Sequence, residues 1–302
     1  MLTREQIRDG WVQQLVLSSA TPVHALSEEE LRASRDATLE RHPPGEDLAV
    51  FAYGSLIWNP AIHFTGRELA HVHGYHRRFC LWTNLGRGTP ERPGLMLGLD
   101  AGGSCRGVLY TIAAADVATE LEIVWRREMV TAAYRPAWVA ARTAHGTRPA
   151  IAFLINHAHD RYAGRLDDAA IVRAIATARG PIGACADYLF NTTVHLDQLG
   201  ICDRSLRRLS RLVREAQREN SDVAAQGALV PAAQDEVLQE GEGQEDGDPG
   251  QADQEQRREH ARDVQPVAGL QDAIGEAGAG AGRAGGELGD DGADQRQSAG
   301  DP

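Results

Sequence analysis

The apolar positions of this chain follow two periods. Leu48-Ala49-Val50-Phe51-Ala52-Tyr53 is an unbroken apolar run halted by Gly54-Ser55, the pattern of a buried strand entering a tight loop. After the turn signal Asn59-Pro60 come short strand-like runs at 69–72, 78–82, 95–99 and 105–112, separated by glycine- and proline-rich turns. Residues 134–143 and 150–156 alternate as a hairpin around His145-Gly146-Thr147. A helical period runs through about 114–129, 167–179 and 205–219. Ser27 before Glu28-Glu29-Glu30 marks a capped helix start within a mostly polar lead-in that Pro43-Pro44-Gly45 ends. Short strands with a few helices predict one small α+β domain round a mixed sheet or barrel. We place it at 46–220, behind a helical lead-in at 1–45 and ahead of a tail at 221–302.

The helix near 116–129 carries the most informative exception to its own pattern. Val117, Leu121, Val124 and Trp125 fall at i, i+4, i+7 and i+8, one face of a 3.6-residue helix. At about 100° per residue, eleven steps bring Glu128 back to about 20° from Val117. Glu122, Arg126 and Arg127 lie off that stripe. A carboxylate on a core-facing stripe is costly unless it is paired or used. Burial there raises its pKa, which suits a general acid/base near neutral pH. The plainer alternative is a frayed helix end, or a pair with Arg127 or another arginine.

The loop after the first strand is the second candidate. Gly54 permits a sharp turn and close approach of the backbone. Successive N–H groups in such a turn can hold a carboxylate or stabilise a developing oxyanion, and the residues leave both roles open. Phe51, Tyr53, Leu56 and Trp58 are expected to surround it with apolar surface, favouring a dry pocket.

From Val50 through Pro60, with Ile57-Trp58-Asn59 after the glycine-serine loop, this segment resembles the signature loop of the γ-glutamylcyclotransferases, in their ChaC-like, glutathione-specific branch. The likeness continues in order through Gly74-Tyr75-His76-Arg77-Arg78-Phe79, Gly86-Arg87-Gly88-Thr89 and Pro93-Gly94-Leu95-Met96. It extends to Trp125-Arg126-Arg127-Glu128-Met129 with Tyr134, and to Gly180-Pro181-Ile182-Gly183 with Tyr188-Leu189-Phe190. It spans roughly 48–206 and implies a γ-glutamylcyclotransferase-like small mixed β-barrel with flanking helices. The resemblance implies that Phe51, Ala52, Tyr53, Gly54, Ser55 and Leu56 line the γ-glutamyl site, that Glu128 moves the proton, and that Tyr188 stands near substrate. Ala52 departs from the branch, which usually has glycine there. The implied reaction degrades glutathione to 5-oxoproline and cysteinylglycine with no metal or organic cofactor. A broader γ-glutamyl-amine or γ-glutamyl-peptide cyclotransferase, or a non-catalytic ligand binder of the same fold, are the alternatives.

Charge separates the tail from the rest. Residues 221–302 hold 19 acidic residues against 5 arginines, so of the whole-chain net charge of −12 the remainder carries about +2. A nearly neutral domain points to neither nucleic acid nor membrane. The tail lacks the large apolar side chains that offset ordering entropy, so disorder is expected there. It is either a partner-binding or solubilising arm, of unknown partner, or an extension without function. The cysteines at 80, 105, 185 and 202 form neither a disulfide framework nor a zinc motif and suit a reducing compartment. Neither an apolar leader nor an 18-residue apolar run is present, so a cytoplasmic protein is expected. His71, His73, His76, His157 and His159 lack acidic or cysteine partners at ligand spacing and read as structural. Cys80 and Cys185 are expected to lie away from any helix N-terminus, which disfavours a thiol nucleophile.

Overall fold

The computed structural model describes residues 2–19 and 23–227. Five strands close into a barrel in the order β1-β3-β2-β4-β5. These are β1 Leu48–Ala52, β2 Gly66–Thr83, β3 Gly94–Ile112, β4 Tyr134–Thr143 and β5 Gly146–Ile155. Neighbours along that order run antiparallel, whereas β1 closes on β5 in parallel at Val50 and Ile151. The barrel is therefore mixed, as the pattern predicts. Its strands carry fully buried side chains such as Leu97, Leu109 and Phe153.

Helices flank it: α1 Arg4–Arg8, α2 Trp11–Leu17, α3 Glu28–Leu39, α4 Val117–Glu128, α5 Asp168–Thr177, α6 Cys185–Gln198 and α7 Arg204–Gly227, with a small hairpin of β6 Arg179–Gly180 and β7 Gly183–Ala184 between α5 and α6. The helix α3 starts on a capping box, in which the Ser27 side chain accepts from the Glu30 N–H and the Glu30 carboxylate accepts from the Ser27 N–H. The helix α4 buries Val117, Leu121, Val124 and Trp125, and Trp125 meets Phe153 edge-on at 5.2 Å between ring centres.

Two expectations change. The runs at 69–72 and 78–82 are one strand of 18 residues, and 95–99 and 105–112 belong to one strand of 19. The intervening glycines bend a continuous ribbon instead of breaking it: Gly74 has φ +84°, beside a register shift between His73 and Tyr75. The helices of the lead-in at 1–45 bury Ile7, Val16 and Leu31 in the same compact unit as the barrel. At the other end α7 continues to Gly227, past the 220 boundary. The disorder expected of the tail concerns residues that, from 228 on, lie outside the described part.

Candidate active site

The loop after β1 is a single 3-10 turn, Ser55–Ile57, entered through Gly54. The first N–H groups of such a turn have no acceptor inside it, so Ser55 and Leu56 offer two donors side by side. Arg77, almost fully buried, holds the loop's base by donating to the Tyr53 carbonyl at 2.8 Å. The Tyr53 hydroxyl donates to the Phe153 carbonyl at 2.7 Å. Gly54 is required by close approach: a Cβ there would sit 2.9 Å from the Tyr188 hydroxyl oxygen.

A cavity of about 210 Å³ opens beside this turn and is lined by Tyr53, Gly54, Ser55 and Leu56, with Glu128 and Tyr188. Six of the eight positions expected at the site are thus brought together. Phe51 and Ala52 are not: both are fully buried in β1 and stay off the cavity. Their strand presses against β3 at Gly107, where a Cβ would meet the Ala52 carbonyl at 2.2 Å and the Phe51 ring at 2.8 Å. In a strand buried on both faces the side chains before the loop belong to the core. The extra methyl of Ala52 accordingly does not narrow the cavity.

Glu128 is the last residue of α4, and its side chain keeps 14% exposure, toward the cavity. Burial pushes its carboxyl above the ordinary glutamate range, and the charge and hydrogen bond of Arg127 pull against that shift without cancelling it. The Arg127 Nε lies 3.0 Å from Glu128 Oε1, its Nη2 donates to the Ser55 hydroxyl at 2.9 Å, and its Nη1 donates to the Asn59 carbonyl. One guanidinium thus clasps the carboxylate to the loop. The ion pair weighed as an alternative to a reactive Glu128 is present, and it fixes the carboxylate inside the cavity.

Three tyrosines surround the carboxylate. Burial is the first cause that raises the phenols of Tyr53, Tyr134 and Tyr188 above their usual range, with Glu128 adding to it, so all three stay neutral. Tyr134 donates to the Leu97 carbonyl at 2.7 Å, as Tyr53 does to Phe153, whereas the Tyr188 hydroxyl faces Gly54.

Sequence reasoning missed part of the wall. Leu2, Val12, Leu15 and Val16 from the N-terminal segment line the cavity, and the Asn59 side chain donates to the Leu2 carbonyl at 2.9 Å. Arg87 and Arg161 also face it. The arginines left no periodic signal because both sit in loops. Cys185 corrects a further expectation, since it opens α6. Its thiol donates to the Leu95 carbonyl at 3.1 Å, and burial pushes its pKa up to about 11, so it remains a protonated packing group despite the helix end. His157 meets Asp100 at 2.6 Å and His159 the Thr131 carbonyl at 2.9 Å, both structural contacts.

The arrangement joins a buried carboxyl of raised pKa to backbone donors and a neutral phenol, which suits proton transfer at a carbonyl whose oxygen gains charge. The chain is similar to the glutathione-specific gamma-glutamylcyclotransferase of Escherichia coli (strain K12), with 39% identity over 195 residues covering 64% of this chain and 84% of that protein. It is also similar to gamma-glutamylcyclotransferase 2-3 of Arabidopsis thaliana, 30% identical over 196 residues, 60% of this chain and 96% of the relative. A crystal structure of a yeast γ-glutamyl cyclotransferase specific to glutathione shares the fold at a TM-score of 0.52 and 22% identity, over 56% of this chain and 96% of that one. Residues 48–216, more than half the length, match the pattern of the ChaC-like protein family, and to that family this chain belongs.

Proposed function

We propose that this chain degrades glutathione by cyclising its γ-glutamyl group, with Glu128 as the proton carrier and the turn from Gly54 to Leu56 as the cradle. The substrate's α-ammonium first loses a proton to the Glu128 carboxylate. The neutral amine then attacks its own γ-carbonyl carbon, forming the ring C–N bond while charge builds on the carbonyl oxygen. The Ser55 and Leu56 N–H groups face that oxygen or the substrate's α-carboxylate. As the amide C–N bond breaks, the proton held by Glu128 passes to the departing nitrogen, and the regenerated carboxylate then carries the second proton of the ring nitrogen to the freed amine. This gives 5-oxoproline and cysteinylglycine and returns the carboxylate. One group serves as base and then acid, so its raised pKa suits both steps.

Because the nucleophile is tethered to the electrophile, holding the substrate in its folded conformer supplies much of the acceleration, on the order of several kcal/mol. The observation that carries this reading is a buried carboxyl pinned by Arg127 to the hydroxyl of the turn it faces. Four unpaired cysteines fit work in the reducing cytoplasm. None of the described helices is long and apolar enough to cross a membrane.

Purified protein incubated with glutathione is expected to release cysteinylglycine and 5-oxoproline, and Glu128→Gln is expected to fold yet lose at least about 10²-fold in kcat. Wild-type activity in the Gln variant would refute the role of Glu128. Equal rates on glutathione, γ-glutamyl-alanine and γ-glutamyl-ε-lysine would replace glutathione with a broader substrate class.

A further inference from the structure

The Gly86-Arg87-Gly88 turn is built with more constraint than a surface connection needs. A Cβ on Gly88 would lie 2.4 Å from the Gly94 nitrogen and 2.5 Å from the Thr83 carbonyl. The Gly86 carbonyl accepts from the Ile182 N–H at 2.8 Å, and a Cβ on Gly180 would collide with that same oxygen at 2.5 Å. The turn is therefore wedged between the ends of β2 and β3 and the β6–β7 hairpin, and Arg87 is clamped at both of its neighbours.

What the clamp presents is a cation. Arg87 is only 8% exposed and lines the cavity. One Nη1 hydrogen bond goes to the Ala184 carbonyl at 2.8 Å, and the guanidinium carbon stands 5.6 Å from the centre of the Tyr188 ring. Among the described residues no carboxylate forms an ion pair with it, although the charge of Asp187 reaches it, while burial lowers the pKa of the guanidinium. Of the other cavity arginines one is paired with an acid, and Arg161, which like Arg87 has no carboxylate partner, lies in the loop after β5. Arg127 is spent on Glu128 and the turn, and Arg161 donates through Nη2 to the Thr131 hydroxyl while its Nε is sealed from solvent without a partner. A guanidinium held without a counter-ion in a largely apolar cavity is a receptor for an anion.

Distance selects which anion. The Tyr188 ring separates Arg87 from Gly54, because the ring's hydroxyl abuts Gly54 and its face meets the guanidinium. With the γ-glutamyl group on the turn, the two residues beyond the γ-carbonyl reach about 7 Å when extended, which carries the far carboxylate past the ring. We infer that Arg87 is the specificity-determining anchor for the C-terminal carboxylate of the leaving dipeptide. This rests on the cyclotransferase reading above.

The test compares glutathione with its C-terminal amide, which differs by one charge at the far end. Wild type is expected to prefer glutathione by about 10- to 100-fold in kcat/KM, expressed mainly in KM. Arg87→Gln is expected to bring that ratio close to 1, and Arg87→Lys to leave a reduced preference. Because the ratio is taken within each variant, a partial loss of folded protein cancels. If Arg87→Gln does not fold, inhibition of the wild type decides, with cysteinylglycine expected to inhibit about ten-fold better than its C-terminal amide. An unchanged ratio in Arg87→Gln, no preference in the wild type, or equal inhibition by the two dipeptides overturns the inference. Failure of the wild type to act on either substrate overturns the underlying reading as well.

Discussion

Glu120 and Glu128 stand two turns apart on α4, and burial alone would raise both carboxyls. Glu120 is 2% exposed yet sits below the ordinary glutamate range, because two Arg4 nitrogens and the His63 N–H meet its oxygens and overcome the desolvation. Glu128 has one cationic partner, and there desolvation wins. A raised pKa has a consequence for stability. The folded state binds the Glu128 proton more tightly than the unfolded chain does, so this group withdraws stability as pH rises from the unfolded value near 4.5 through the folded one. Glu128→Gln removes that titration while its amide oxygen can still accept from Arg127. The variant's thermal midpoint is therefore expected to gain on the wild type between pH 4.5 and pH 8. Scanning calorimetry at the two values decides it, and a difference that stays constant or narrows with pH removes the case for a strained carboxylate.

At the scale of elements, the site is assembled across one long sequence gap. Arg4 on α1 reaches Glu120 on α4, with Nη2–Oε1 at 2.7 Å, and its Nη1 also meets the Ala61 carbonyl beyond the turn. That pair fixes α1, and with it α2 and its cavity-lining side chains, against the catalytic unit. Removing one partner of a buried pair typically costs about 3–5 kcal/mol. Arg4 keeps 22% of its side chain in solvent, so Arg4→Ala is expected to cost about 2–3 kcal/mol and to raise KM more than it lowers kcat. Urea titration and steady-state kinetics measure the two effects, and unchanged stability would mean that Glu120 finds water. The same pair shows what was legible beforehand. The stripe of α4 could be read from spacing alone, and so could Glu128, because a helical period is local. Glu120, three residues after Val117, lies at the edge of that stripe, and its partner is 116 residues away and leaves no periodic trace. The strands β2 and β3 were recognised in pieces, since a glycine in a strand looks like a turn until its partner strand is known. The family resemblance implies Phe51 and Ala52 at the site together with the loop, whereas their pairing with Leu109 and Val108 of β3 commits them to the barrel.

For the whole molecule, the question is how much of the chain the chemistry needs. Every residue placed at the cavity lies between Leu2 and Tyr188, and the family pattern ends at residue 216. Beyond Gly227 the sequence holds 18 acidic residues and 5 arginines, so a chain ending there would change from a net −12 to about +1. A charge out of contact with an anionic substrate acts on it through the long-range field, which falls off over about 10 Å at 0.1 M salt. The cavity is lined by its own arginines, whose fields act at contact range. A chain ending at Gly227 is thus expected to keep kcat/KM for glutathione within about two-fold of the full chain at 0.15 M salt. If any difference appears it should grow as ionic strength falls, with the shorter chain the faster, since removing negative charge eases the approach of an anion. A ten-fold loss on truncation, insensitive to salt, would show instead that residues after 227 complete the site by contact, and the boundary drawn from the cavity would have to move.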